Sequence, residues 1–204
     1  MNKSDRSEGK KNRNRSLIEW GVIIGVIVLL YATGWHTQVL GTFQRGVLAT
    51  GVIKPPIPSL DQDFQQASTQ LFFADKDNRV RSLAEYNDTV IFLNIWATWC
   101  PPCIAEMPSI QALYNEFRDH ENIRFLLVSM DEEFDKAIEF MDQRNYDLPI
   151  YHFRNRAAGV YNSGVIPTTY VISKDGKLIM EKRGLAKYDT PEFKKFLTEL
   201  AEMN

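Results

Sequence analysis

The run Val90-Ile91-Phe92-Leu93-Asn94-Ile95-Trp96 leads directly into Ala97-Thr98-Trp99-Cys100-Pro101-Pro102-Cys103. No other stretch restricts the fold as much. The first part, entered at Thr89, is apolar and β-rich apart from Asn94, which predicts a strand covered on both faces. Beyond the second part, Ile104, Met107, Ile110, Leu113, Tyr114 and Phe117 share one face of a helix. Pro108 lies inside that helix, where it removes one backbone hydrogen bond and is expected to bend the axis. The chain's only two cysteines, Cys100 and Cys103, therefore fall at the mouth of a helix that follows a buried strand. A helix N-terminus favours thiolate over thiol, so the pair reads as a redox site.

The flanking sequence supplies the other elements. Leu71-Phe72-Phe73 and Arg79 to Leu83 flank Asp75-Lys76-Asp77-Asn78, the pattern of a β-hairpin, and Ser82 to Tyr86 reads as one helical turn. Ile123 to Ser129 is a second buried strand. Asp131-Glu132-Glu133 reads as an acidic helix start, with Phe134, Ile138 and Met141 on the apolar face that follows. Leu148 to Tyr151 reads as extended, and Ala157 to Tyr161 as a short helix. Tyr170-Val171-Ile172 and Lys177 to Met180 flank a turn at Ser173-Lys174-Asp175-Gly176. Thr190 caps a last helix with Pro191 in its first position, and Phe193, Phe196, Leu197 and Leu200 face its core. This order predicts an α/β domain over residues 60–204, with a mixed central sheet, helices on both faces and the hairpin as an N-terminal extension.

The N-terminal region has a different character. Residues 1–16 carry Lys3, Arg6, Lys10, Lys11, Arg13 and Arg15 against Asp5 and Glu8, a basic tail with nothing to bury. Residues 17–35 are apolar apart from Glu19 and a few small or hydroxyl residues, close to the ~20 needed to cross a bilayer. Trp20, Tyr31 and Trp35 lie toward the ends, where aromatic rings favour the headgroups. The positive flank predicts a single-pass anchor with a cytoplasmic N-terminus and the remainder across the membrane. A cleaved signal peptide is the alternative, although no A-x-A-like site directly follows the apolar run. Residues 36–59 form the juxtamembrane linker. Val39, Leu40, Phe43, Val47 and Leu48 within it fit either an interfacial amphipathic helix or a plain connector. Pro55, Pro56 and Pro58 stiffen its exit.

Composition narrows the chemistry. The chain has 204 residues, of which 44% are apolar and 25% charged, ordinary globular values. A net charge of −2 gives no nucleic-acid footprint. Two cysteines make neither a disulfide framework nor a four-ligand zinc pattern. His36, His120 and His152 have no metal-ligand spacing and read as surface or packing residues.

Together, Asn94-Ile95-Trp96-Ala97-Thr98-Trp99-Cys100-Pro101-Pro102-Cys103, then Glu106-Met107-Pro108, then Ile166-Pro167-Thr168-Thr169, with the Asp175-Gly176 hairpin and the N-terminal span, resemble the thioredoxin fold. More closely, they resemble the TlpA/ResA family of membrane-anchored thiol-disulfide oxidoreductases. The resemblance implies that Cys100 is the exposed nucleophile, Cys103 the resolving thiol and Pro167 a cis-proline facing them. Trp99, Pro101 and Pro102 then border the substrate, and the backbone of Ile166 and Thr168 pairs with it. Thioredoxins carry a buried aspartate where this chain has Asn94, and the resemblance moves the proton carrier to Glu106; a solvated helix residue is the other reading of Glu106. Both Pro101 and Pro102 lack an N–H, so fewer donors reach the Cys100 sulfur, which favours a reductant.

The same resemblance implies no cofactor beyond the dithiol itself. The partners it implies are a disulfide-bearing protein substrate and a transmembrane electron donor of the DsbD or CcdA kind, often in cytochrome c maturation. The expected location is a bacterial cytoplasmic (inner) membrane, with the domain periplasmic or extracytoplasmic. A disulfide oxidase or isomerase, and a thioredoxin-like binding module without turnover, remain alternatives.

Overall fold

The computed structural model describes residues 19–26, 28, 29, 46, 48, 51, 53–154, 161 and 163–203. The chain divides into two units, Met1–Val39 and Leu40–Asn204. In the first, residues 19–26, 28 and 29 are helical, and Trp20, Val22, Ile23, Ile24, Val26, Val28 and Leu29 are exposed. Among the described residues no helix is long and apolar enough to cross a membrane. Of the expected span at 17–35, residues 17, 18, 27 and 30–35 lie outside them, as do most of residues 36–52.

The second unit is built in the order β1 (Phe72–Ala74), β2 (Val80–Ser82), a 3₁₀ turn (Leu83–Tyr86), β3 (Val90–Trp96), α1 (Pro101–Phe117), β4 (Ile123–Ser129), α2 (Phe134–Gln143), β5 (Ile150–Phe153), β6 (Thr168–Ile172), β7 (Leu178–Arg183) and α3 (Pro191–Glu202). The strands form one mixed sheet in the order β2-β1-β5-β4-β3-β6-β7. Strand β3 is parallel to β4 and antiparallel to β6, and β4 is parallel to β5. The hairpin β1–β2 extends the sheet by pairing antiparallel with β5.

All seven residues of β3 are buried, as the continuous apolar run requires. Alternation sends Val90, Phe92 and Trp96 into one core cluster and Ile91, Leu93 and Ile95 into another. Asn94 has the parity of the first set. Helices α1, α2 and α3 all contribute to that first cluster. For α1 and α2 the reason is topological. The crossovers β3–α1–β4 and β4–α2–β5 step the same way along the sheet, so one handedness places both helices on one face. Among the described residues the other face is closed by Leu71, by Leu83 of the 3₁₀ turn and by Tyr161 rather than by an α-helix. Of the short helix expected at 157–161, only Tyr161 lies among the described residues.

Boundaries shift for local reasons. Strand β5 starts at Ile150, not Leu148. Pro149 has no N–H to give a ladder, and its carbonyl accepts from Leu127 N–H at 3.2 Å. Helix α2 starts at Phe134 with Glu133 as N-cap, which leaves Asp131 ahead of the helix. Helix α1 continues through Pro108, which faces solvent. The β7 edge is covered by residues 65–67, where Leu178 N–H donates to Gln65 O and Ala67 N–H to Gly176 O, both at 2.8 Å. Further back, Lys187 N–H donates to Ile53 O at 2.9 Å. The chain thus engages the domain from Ile53, within the stretch expected to be linker.

Register decides where the site lies. Trp96 is opposite Ser129 on β4, and Ile95 is opposite Thr168 on β6, which in turn is opposite Arg183 on β7. The segments that leave or enter these strand ends, residues 97–100, 130–133, 163–167 and 184–190, therefore share one end of the sheet.

Candidate active site

Cys100 is the N-cap of α1 and Pro101 its first residue. Proline suits that place, because its missing N–H has no partner in a first turn anyway. Cys100 N–H donates to Ala97 O at 3.2 Å, and Cys100 O accepts from Ile104 N–H at 3.1 Å. Cys100 and Cys103 are joined in a disulfide, with Cα atoms 5.3 Å apart. Cys103 N–H donates to Cys100 Sγ at 3.3 Å, the backbone donor left once two prolines intervene. Cys100 is 5% exposed and Cys103 fully buried. When the bond opens, Cys100 is the outer sulfur, with an N–H and a helix N-terminus to steady its thiolate. Trp99 beside it is 60% exposed.

One turn beyond Cys103, Glu106 is fully buried rather than solvated. Asn94 Nδ2 donates to Glu106 Oε1 at 2.8 Å and to Thr169 Oγ1 at 2.9 Å. Ala186 N–H donates to Glu106 Oε2 at 3.3 Å. Burial pushes the carboxyl up to about 8, against the pull of the Asn94 and Ala186 donors and the Lys182 charge. Glu106 is therefore a buried acid whose ionisation is shifted up to about 8, one helical turn from Cys103. Tyr188 is also buried there, and burial together with the Glu106 charge raises its hydroxyl well above the ordinary value.

Asp131, which the sequence suggested only as part of a helix start, is turned inward and 3% exposed. Its Oδ1 accepts from Thr98 Oγ1 at 2.6 Å and its Oδ2 from Thr98 N–H at 3.0 Å. Ser129 Oγ donates to Oδ2 at 2.7 Å. The available signal was positional: an acid two residues beyond Ser129, at the end of a strand parallel to β3. His152 packs here, its ring stacked on Phe134 at 5.2 Å and its Nε2 3.1 Å from Asp131 O.

The Ile166–Pro167 bond is cis. Pro167 precedes Thr168, so register places it at the sheet end that carries the dithiol. Pro167 is buried, and its carbonyl accepts from Gly184 N–H at 2.8 Å. Thr168 is also buried, in the ladder between β3 and β7, with its hydroxyl donating to Val165 O at 2.7 Å. Ile166 is half-buried, and Val165 before it is exposed, as is Met130 on the β4 side. Pro101 and Pro102 are half-buried beside the cysteines. Among the described residues no cluster of three His, Cys, Asp or Glu side chains is placed to hold a metal ion.

A mixed sheet, a Cys-x-x-Cys disulfide at a helix N-terminus and a cis-proline at the same sheet end define a thioredoxin-like domain. A family model described as the AhpC/TSA family matches residues 61–180, more than half of the chain, and the chain belongs to that family. The chain is 34% identical over 103 residues to the thiol-disulfide oxidoreductase ResA of Oceanobacillus iheyensis, covering 50% of this chain and 53% of that protein. The chain thus spans about half the length of that relative. It is 28% identical over 154 residues to the ResA of Geobacillus kaustophilus, covering 75% of this chain and 80% of that protein. Among solved structures, a thiol:disulfide interchange protein DsbE from Chlorobium tepidum superposes with a TM-score of 0.59 at 20% identity, over 70% of this chain and 99% of that one. That likeness is one of fold.

Proposed function

We propose that this protein is a thiol-disulfide oxidoreductase that reduces disulfides of extracytoplasmic proteins. The carrying observation is the asymmetry of the pair: Cys100 is the outer sulfur under a Cys103 N–H, and Cys103 is fully buried beside a buried acid one turn along. The Cys100 thiolate attacks a substrate disulfide, forming a mixed disulfide and releasing one substrate thiolate. Cys103 then gives its proton to ionised Glu106 and attacks the Cys100 sulfur. The second substrate sulfur leaves and takes up a proton. Two electrons have passed from the dithiol to the substrate, and Cys100–Cys103 is again a disulfide.

Exposed Trp99, Met130 and Val165 around the pair support a polypeptide substrate over a small thiol. The basic tail and the apolar run at 17–35 support an anchor in a bacterial inner membrane with the domain outside the cytoplasm. In an oxidising compartment the dithiol needs renewal, which supports an electron donor within the membrane, of the DsbD or CcdA kind. Cytochrome c maturation is the process proposed for its substrates. The test is reduction of insulin by the pre-reduced protein. Turnover is expected for the wild type and not for Cys100→Ser; equal activity in the two overturns the assignment. A potential as high as that of strong disulfide oxidants refutes the direction.

A further inference from the structure

We infer that Asp131 is a positioning residue for the dithiol, acting through Thr98; the inference rests on the exchange reaction proposed above. Between the end of β3 at Trp96 and the N-cap Cys100, the chain passes through Ala97, Thr98 and Trp99. Thr98 is grasped twice by one carboxylate, through its N–H and its hydroxyl. The carboxylate is itself fixed from β4: Ser129 Oγ donates to it, and Asp131 N–H donates back to Ser129 Oγ at 3.0 Å. Met130 N–H, between them, donates to Trp96 O at 2.8 Å. The result is a clamp from the end of one strand onto the loop that leaves its parallel neighbour. Hydrogen bonds to a charged acceptor are the strong ones, and a buried acceptor of this kind is costly to leave unmatched.

The consequence is for the opened pair. In the disulfide the covalent bond keeps Cys100 on Cys103. In the dithiol that tie is gone, and the loop and the helix start, where Cys100 O accepts from Ile104 N–H, together hold Cys100 where Cys103 N–H reaches its sulfur. The clamp keeps that geometry, so Cys103 attacks a mixed disulfide held at short range, and the protein disulfide is favoured. In the equilibrium with glutathione, protein dithiol plus oxidised glutathione gives protein disulfide plus two reduced glutathione molecules. Loosening the loop moves this toward the dithiol.

Thr98→Val removes the hydroxyl donor at nearly constant shape, Thr98→Ser restores it, and Asp131→Ala removes the clamp. The glutathione equilibrium of each purified full-length variant is read by thiol labelling. Thr98→Val and Asp131→Ala are expected to shift the constant toward dithiol, by about tenfold for the loss of a charge-assisted bond. Thr98→Ser should stay within about threefold of wild type, since the lost methyl makes no such bond. Adding Thr98→Val to Asp131→Ala should change nothing further. An unshifted Thr98→Val, a Thr98→Ser that behaves like it, or additive effects in the double variant each overturn the inference. If Asp131→Ala does not fold, the Val and Ser pair decides. Loss of insulin reduction with Cys100→Ser together with an unshifted Thr98→Val rejects the clamp and keeps the exchange reaction.

Discussion

Asn94 on β3 and Glu106 on α1 are joined by a 2.8 Å hydrogen bond in which the amide donates to the carboxyl. The strand parity that points Asn94 toward the helices makes this pairing possible. The acid sits on the helix that carries the cysteines, and the strand contributes its hydrogen-bond partner. Glu106 and Cys103, the proton carrier and resolving thiol of the proposed reaction, therefore belong to one helix.

Glu106→Gln should flatten a pH dependence of stability. The folded carboxyl titrates at about 8, above its ordinary value of 4.5, so the native protein keeps a proton that the unfolded chain releases. Stability is fully present below the unfolded value and falls as pH rises toward 8, by up to about 1.4 kcal/mol per unit. Urea unfolding at several pH values should show this slope in wild type and its loss in the variant. If Glu106 takes the Cys103 proton, the rate of disulfide exchange should show an inflection near 8 in wild type and none in the variant.

Trp99→Ala should separate function from stability. The side chain is exposed, so unfolding free energy should move by no more than about 0.5 kcal/mol. If the ring meets the substrate, KM for a protein disulfide should rise roughly tenfold, the cost of losing an aromatic anchor. Steady-state kinetics beside chemical denaturation give both numbers.

Phe92→Ala should do the opposite. Phe92 is fully buried, with its ring centroid 5.0 Å from that of Phe125 and 5.2 Å from that of Tyr188. Truncation should cost about 3–5 kcal/mol in a urea titration, because the neighbouring rings cannot collapse into the space.

The proposed anchor predicts a fractionation result. Full-length protein should remain in the membrane pellet after alkaline carbonate extraction, and a variant lacking residues 17–35 should move to the supernatant. Full-length protein in the supernatant would refute the anchor.

Local signals carried the strand β3, the dithiol helix and the last helix. A continuous apolar run, a 3.6-residue stripe and the Thr190–Pro191 cap are each readable over a few residues. The Thr190 hydroxyl does accept from Phe193 N–H, at 3.3 Å. Asp131 was readable only as part of a helix start, because its inward turn depends on Thr98, 33 residues away. The sequence left Glu106 open between a solvated and a functional role, since its depth depends on Ala186, 80 residues away. That α1 and α2 share one face follows from strand order, which propensity does not specify.

In the proposed reaction the burial of Cys103 limits where a partner can enter. With that sulfur fully buried, an outside thiol is not expected to compete for it, and the proposed exchange has its point of entry at Cys100. An encounter that reaches the mixed disulfide is closed from inside the protein, by a reaction whose rate does not depend on the concentration of any other thiol.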